Sequence, residues 1–92
     1  MYSIQISTAF KKDYKRVANN KKAQKLIEET LHLLITGENL PEKYKEHHLK
    51  GNLKGYIDAH IEPDLIIIFK RDKKNREIKL ARLGNHANLN LD

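Results

Sequence analysis

The chain has 92 residues, 39% of them hydrophobic and 33% charged, with a formal net charge of +6 and no cysteine. That is enough apolar residue for one small core and too much for a disordered tail. The absence of Cys excludes disulfides, thiolate catalysis and Cys-based metal sites.

Tyr2, Ile4 and Ile6 alternate with Ser3, Gln5 and Ser7, the period of a half-buried strand. Ser7 or Thr8 can cap a helix in which Phe10, Tyr14, Val17 and Ala18 share one face and lysines hold the other. Asn19-Asn20 breaks that pattern and offers a second cap. Ala23, Leu26, Ile27, Leu31, Leu34 and Ile35 mark a longer helix, which Gly37 is placed to end in a left-handed turn. Few residues join the two helices, so an antiparallel hairpin is expected. Residues 38–52 read as a loop, opened by Leu40-Pro41 and closed by Gly51-Asn52. Leu53, Gly55, Ile57, Ala59 and Ile61 then alternate with Lys54, Tyr56, Asp58 and His60, a strand with one apolar and one polar face. After Glu62-Pro63, the run Leu65 to Phe69 reads as a buried strand. Asp72 to Asn75 reads as a turn, and Arg76 to Leu83 as a last strand with Ile78 and Leu80 inward. The expected fold class is α+β, in the order β-α-α-β-β-β. The sheet is mostly antiparallel, with the helix hairpin on one face and Tyr56, Asp58 and His60 on the other, open face.

The longest apolar run, Leu65-Ile66-Ile67-Ile68-Phe69, is far short of a membrane span, and the opening Tyr2-Ser3-Ile4-Gln5 carries no signal-peptide pattern. A single soluble, cytoplasmic domain over residues 1–92 is therefore expected. Its basic excess favours nucleic acid as partner, and Lys11, Lys12, Lys15 and Arg16 concentrate that excess on the first helix.

Five histidines occur, and all but His32 flank or enter the sheet. His60 is on the open face with Asp64 just across the turn. His47 and His48 precede that strand, and His86 follows the last one. Convergence at one end of the open face would suit RNA cleavage by internal transesterification. The 2′-hydroxyl attacks the adjacent phosphorus, one group takes its proton, and another protonates the leaving 5′-oxygen. Histidine can do both at neutral pH. Lys50, Lys54 and Arg82 are placed to meet the charge that builds on phosphorus. Separate surface histidines, or a metal site built from His60, Asp64 and His86, stand as alternatives; the second lacks tight ligand spacing.

The stretch from Leu40 to Asp64, with His47-His48-Leu49-Lys50-Gly51 and Gly55-Tyr56-Ile57-Asp58-Ala59-His60-Ile61-Glu62-Pro63-Asp64, closely resembles the YafQ-like branch of the RelE/ParE toxin superfamily. The ending Arg82-Leu83-Gly84-Asn85-His86-Ala87 is similar too. The resemblance implies a RelE-like toxin of a type II toxin–antitoxin pair that cuts mRNA in the ribosomal A site. It implies no metal and no cofactor, and products with a 2′,3′-cyclic phosphate and a 5′-hydroxyl. It implies a tightly bound antitoxin, through whose complex operator DNA is met; the chain is expected to be monomeric when free, since it shows no second apolar stripe for a large self-interface, and hetero-oligomeric with its antitoxin. The implied site is His47, Asp58, His60, Asp64, Arg82 and His86, with His86 as general acid, His47 or His60 as base, and Asp64 orienting a histidine. Lys50, Lys54 and Arg82 would meet phosphate, and Tyr56 would stack on a base. The family often has an aromatic residue four positions after the last histidine; here that position is Asn90. Two competing readings remain: a toxin-fold protein that binds without efficient turnover, and a metal-dependent hydrolase.

Overall fold

Ser7 ends the first strand and starts the first helix. Its hydroxyl accepts the Phe10 N–H (3.0 Å) and donates to the Ala81 carbonyl (2.8 Å), tying the helix start to the last strand. The computed structural model describes residues 1–89. It comprises β1 (Ser3–Ile6), α1 (Thr8–Val17), α2 (Lys21–Leu34), β2 (His47–His48), β3 (Ile57–Glu62), β4 (Leu65–Asp72), β5 (Glu77–Gly84) and α3 (His86–Leu89). Asn20 caps α2 by accepting the Ala23 N–H at 3.0 Å. Gly37 follows α2 at φ +80°, and a Cβ there would lie 2.1 Å from the Tyr2 ring, so both conformation and close approach require glycine.

The sheet order is β1-β5-β4-β3-β2. The three long strands pair antiparallel in sequence, while β1 joins β5 in parallel. The hairpin α1–α2 covers one face. There Phe10, Ala23, Ile27 and Leu34 pack on Ile57, Ala59, Leu65, Ile67, Phe69, Ile78, Leu80 and Leu83. At roughly 1.5–3 kcal/mol for each large side chain fully buried, this face dominates stability.

The expected class holds, and the order β-α-α-β-β-β holds with α3 added after the last strand and with four corrections. The strand expected from Leu53 begins only at Ile57, because Gly51–Leu53 forms a 3-10 turn and Leu53 is exposed. Lys54 therefore lies in a turn rather than on the strand's polar face. His47 and His48, expected in a loop, form the short edge strand β2. The face opposite the hairpin is also less open than expected: Ile66, Ile68 and Leu89 form a second cluster there, joined by Leu49, Tyr56 and Ala81. Finally, β5 carries a bulge. Phe69 pairs with Leu80 but Ile68 pairs with Arg82, leaving Ala81 as the extra residue. Unbroken alternation would put Arg82 on the face of Ile78 and Leu80. The bulge gives that place to Leu83 and sets Arg82 opposite Ile68.

Candidate functional site

The register lays the polar residues out in rows across the second face. His47 of β2 pairs with Asp58 of β3, Asp58 with Ile68 of β4, and Ile68 with Arg82 of β5. The next row, about 7 Å along the strands, is His60, Ile66 and Gly84. His86 opens α3 two residues beyond Gly84. The His60 and His86 rings meet with centroids 5.7 Å apart, tilted 57° to each other. Asp64, in the turn between β3 and β4, brings Oδ1 to 3.9 Å from His86 Nδ1. His47 Nδ1 lies 3.4 Å from Asp58 Oδ1. That carboxylate is buried, and Oδ1 makes no hydrogen bond among the described residues. An unsatisfied buried carboxylate oxygen is costly, and such atoms concentrate where function needs them.

So His60, Asp64 and His86 come together at one end of the second face, and His47 pairs with Asp58 one row away. His48 is exposed on β2, and His32 is exposed on α2, as expected of a helix-surface histidine. Lys50 and Lys54 bracket the Gly51–Leu53 turn as exposed residues, with no ion pair to the carboxylates among the described residues. Tyr56 lies on the site face, half-buried in the second cluster, with Lys70 Nζ 5.8 Å from its ring centroid. Lys11, Lys12, Lys15 and Arg16 are exposed along α1. Asn90 lies outside the described residues.

Two side chains that hold this arrangement did not stand out in the sequence. Asp13 of α1 is buried, and its carboxylate accepts from Arg82 Nε (2.7 Å), Arg82 Nη2 (3.2 Å) and the Leu83 N–H (2.9 Å). Burial alone pushes the Asp13 carboxyl up. The Arg82 and Leu83 hydrogen bonds, with the charges of Arg82 and Arg16, outweigh it and hold the carboxyl below its ordinary range. Arg82 is in turn held above its usual value, chiefly by the Asp13 hydrogen bond. The signal was positional: Asp13 is a lone acid in a basic segment, three residues after Phe10 on the inward stripe.

Glu46 is the second. Its two oxygens accept from Arg71 Nη1 and Nη2, both at 3.2 Å, and it also accepts the Leu40 N–H. The Arg71 side chain is 5% exposed, and its guanidinium stacks on Phe69 at 5.2 Å. This clamp fixes the loop to β4 one residue before His47. Its signal was parity: Arg71 continues the inward series Ile67, Phe69, where a charge demands a buried partner.

A family model described as "Bacterial toxin of type II toxin-antitoxin system, YafQ" matches residues 2–91. The chain belongs to the YafQ toxin family. It is 39% identical over 87 residues to the mRNA interferase toxin YafQ of Escherichia coli K12, covering 94% of this chain and 92% of that one. The crystal structure of YafQ from E. coli strain BL21(DE3) matches with TM-score 0.85 at 36% identity, covering 97% and 98% of the two chains. A chain of the E. coli DinJ–YafQ complex matches with TM-score 0.85 at 37% identity, covering 97% and 98%. Membership extends over both halves, including the helical half, where the sequence resembles the YafQ branch in layout rather than in motif. Among the described residues no helix is long and apolar enough to cross a membrane.

Proposed function

We propose that this chain is an mRNA-cleaving toxin of a type II toxin–antitoxin system, acting as one domain in the cytoplasm on ribosome-bound mRNA and blocked by a cognate antitoxin. The observation that carries the chemistry is the meeting of His60 and His86 beside Asp64, one row from the His47–Asp58 pair. The substrate supplies its own nucleophile. The ribose 2′-oxygen bonds to phosphorus while His47 or His60 takes its proton. The bond from phosphorus to the 5′-oxygen breaks, and His86 protonates that oxygen, leaving a 2′,3′-cyclic phosphate and a 5′-hydroxyl. Asp64 orients His86, and Asp58 does the same for His47. Arg82 stabilises the charge on the phosphoryl oxygens. Asp13 is a positioning residue: by taking Nε and Nη2 it leaves Nη1 of Arg82 for phosphate. No protein group is consumed, and no metal or cofactor enters any step. The exposed lysines of α1 supply contact with ribosomal RNA, and operator DNA is met only through the antitoxin complex. Free toxin is monomeric.

Primer extension on a defined mRNA tests this, with and without programmed ribosomes and with EDTA throughout. Cleavage by wild type that depends on ribosomes, survives EDTA and disappears in His86→Ala is the expected result. No cleavage by wild type in any condition leaves a toxin-fold protein that binds antitoxin or nucleic acid without turnover. Cleavage lost on EDTA addition overturns the metal-free mechanism.

A further inference from the structure

The site face continues past the histidines. One row beyond Asp58, Lys70 of β4 pairs with Lys79 of β5, and Lys79 pairs with Gln5 of β1. Tyr56 enters β3 beside Lys70, whose ammonium lies over the phenol ring. Gln5, Ser7, Tyr56, Lys79 and Ala81 line a cavity of about 260 Å³ at this end of the face, just below the ~300 Å³ at which drug-sized pockets begin. Two lysines directly opposite each other on adjacent strands repel. Neither forms an ion pair among the described residues. Asp72, half-buried and attracting both lysines, spends its carboxylate on the Asn75 N–H (3.0 Å) and side chain (2.9 Å), and Glu77, its cross-strand partner in the next row, forms no ion pair with either lysine among the described residues.

A cationic pair without an ion-pair partner among the described residues, an aromatic ring and an adjoining cavity are the parts of a single-stranded nucleic-acid subsite. We infer that Lys70, Lys79 and Tyr56 bind a nucleotide of the RNA outside the scissile step, its base on the Tyr56 ring and its phosphate between the two ammonium groups. The row is four residues from His60 along β3, about 13 Å at strand rise, so the RNA lies across the strands' second face from His86 toward β1. This rests on the RNA-cleaving reading and extends it to how substrate is held.

The test titrates the full chain with a fluorescent single-stranded 2′-O-methyl RNA oligonucleotide, which has no nucleophile, across a range of salt. The same proteins are assayed for cleavage of mRNA on programmed ribosomes. Lys70→Ala/Lys79→Ala is expected to flatten the slope of log affinity against log salt by about 0.7, the contribution of the one phosphate held between the two ammonium groups. It should also raise the half-saturating toxin concentration on ribosomes far more than it lowers the maximal rate. Tyr56→Ala should weaken oligonucleotide binding about tenfold, with Tyr56→Phe close to wild type. Lys73→Ala/Lys74→Ala removes the same charge from the exposed turn and is expected to behave as wild type. Equal effects of the two lysine pairs, or an unchanged slope and half-saturation in Lys70→Ala/Lys79→Ala, overturn the subsite. A wild type that binds the oligonucleotide but cuts no mRNA overturns the cleavage reading alone. A wild type that does neither overturns both.

Discussion

The two faces of the sheet are made from the same strands and do different work. On the hairpin side, β4 contributes Leu65, Ile67 and Phe69 to a continuous apolar core. On the other, it contributes Ile66 and Ile68 as a floor under histidines and carboxylates. The apolar core and the proposed chemistry are thus separated by side-chain parity within single strands, and β4, buried on both faces, belongs to both. Among the described residues, one face reaches into the other through the ion pair of Asp13 with Arg82, while the pair of Glu46 with Arg71, on the hairpin side, fixes the chain just before His47.

The separation breaks most visibly at its polar extreme. His86→Ala should lower cleavage by about 100-fold or more while changing the free energy of unfolding in urea by less than about 0.5 kcal/mol, because the residue is exposed. A comparable loss of stability would show that the site face also carries the fold. The converse substitution, Ile67→Ala, empties a fully buried position. It should cost about 2–5 kcal/mol in equilibrium unfolding, with the residual folded fraction still cleaving.

Asp13→Asn probes the junction. It should cost roughly 1–3 kcal/mol at pH 7 and lower the maximal cleavage rate. In an Arg82→Ala background the effect on rate should largely vanish, whereas purely independent roles would add. The pH dependence has a definite sign. The Asp13 carboxyl is held below its ordinary value in the folded state, so its contribution is complete above the ordinary carboxylate range and is lost as pH falls through the lower folded value. Wild type and Asp13→Asn should therefore differ most near neutrality and converge in acid; a gap that widens in acid would contradict the pairing. The smallest effect concerns Lys45, a non-glycine residue at φ 51° just before Glu46. Lys45→Gly relieves the left-handed strain but loosens the unfolded chain, and the two should leave stability within about 1 kcal/mol of wild type.

Much of this was legible in the residues. Period-two alternation located β1 and most of β3, helical spacing located α1 and α2, and the caps Ser7 and Asn20 are the ones observed. The polar partners of Ile57, Ala59 and Ile61 correctly placed Asp58 and His60 on the face away from the helices. What escaped notice depended on relations between distant segments. A bulge at Ala81 is invisible to strand periodicity, so the alternation of Ile78 and Leu80 does not by itself account for Arg82 on the site face; its register with Ile68 does. The edge strand β2 is too short to have a period and exists only because Asp58 and Ile57 offer it partners. Lys54 read as part of β3 because alternation continues through Leu53 and Gly55, although the Gly51–Leu53 turn takes those residues out of the sheet.

The parallel pairing of β1 with β5 has a consequence for the chain's own synthesis. Residues 3–6 find their partners at 77–80, Ser7 bonds to Ala81, and Asp13 meets Arg82 sixty-nine positions later. Strand β1 therefore waits, unpaired in the sheet, until β5 has been made, and Arg82 and His86 leave the ribosome long after it. A nascent chain holds neither the completed sheet nor the proposed proton donor. Until β5 emerges, the rows that set His47, Asp58 and Arg82 across one face do not exist.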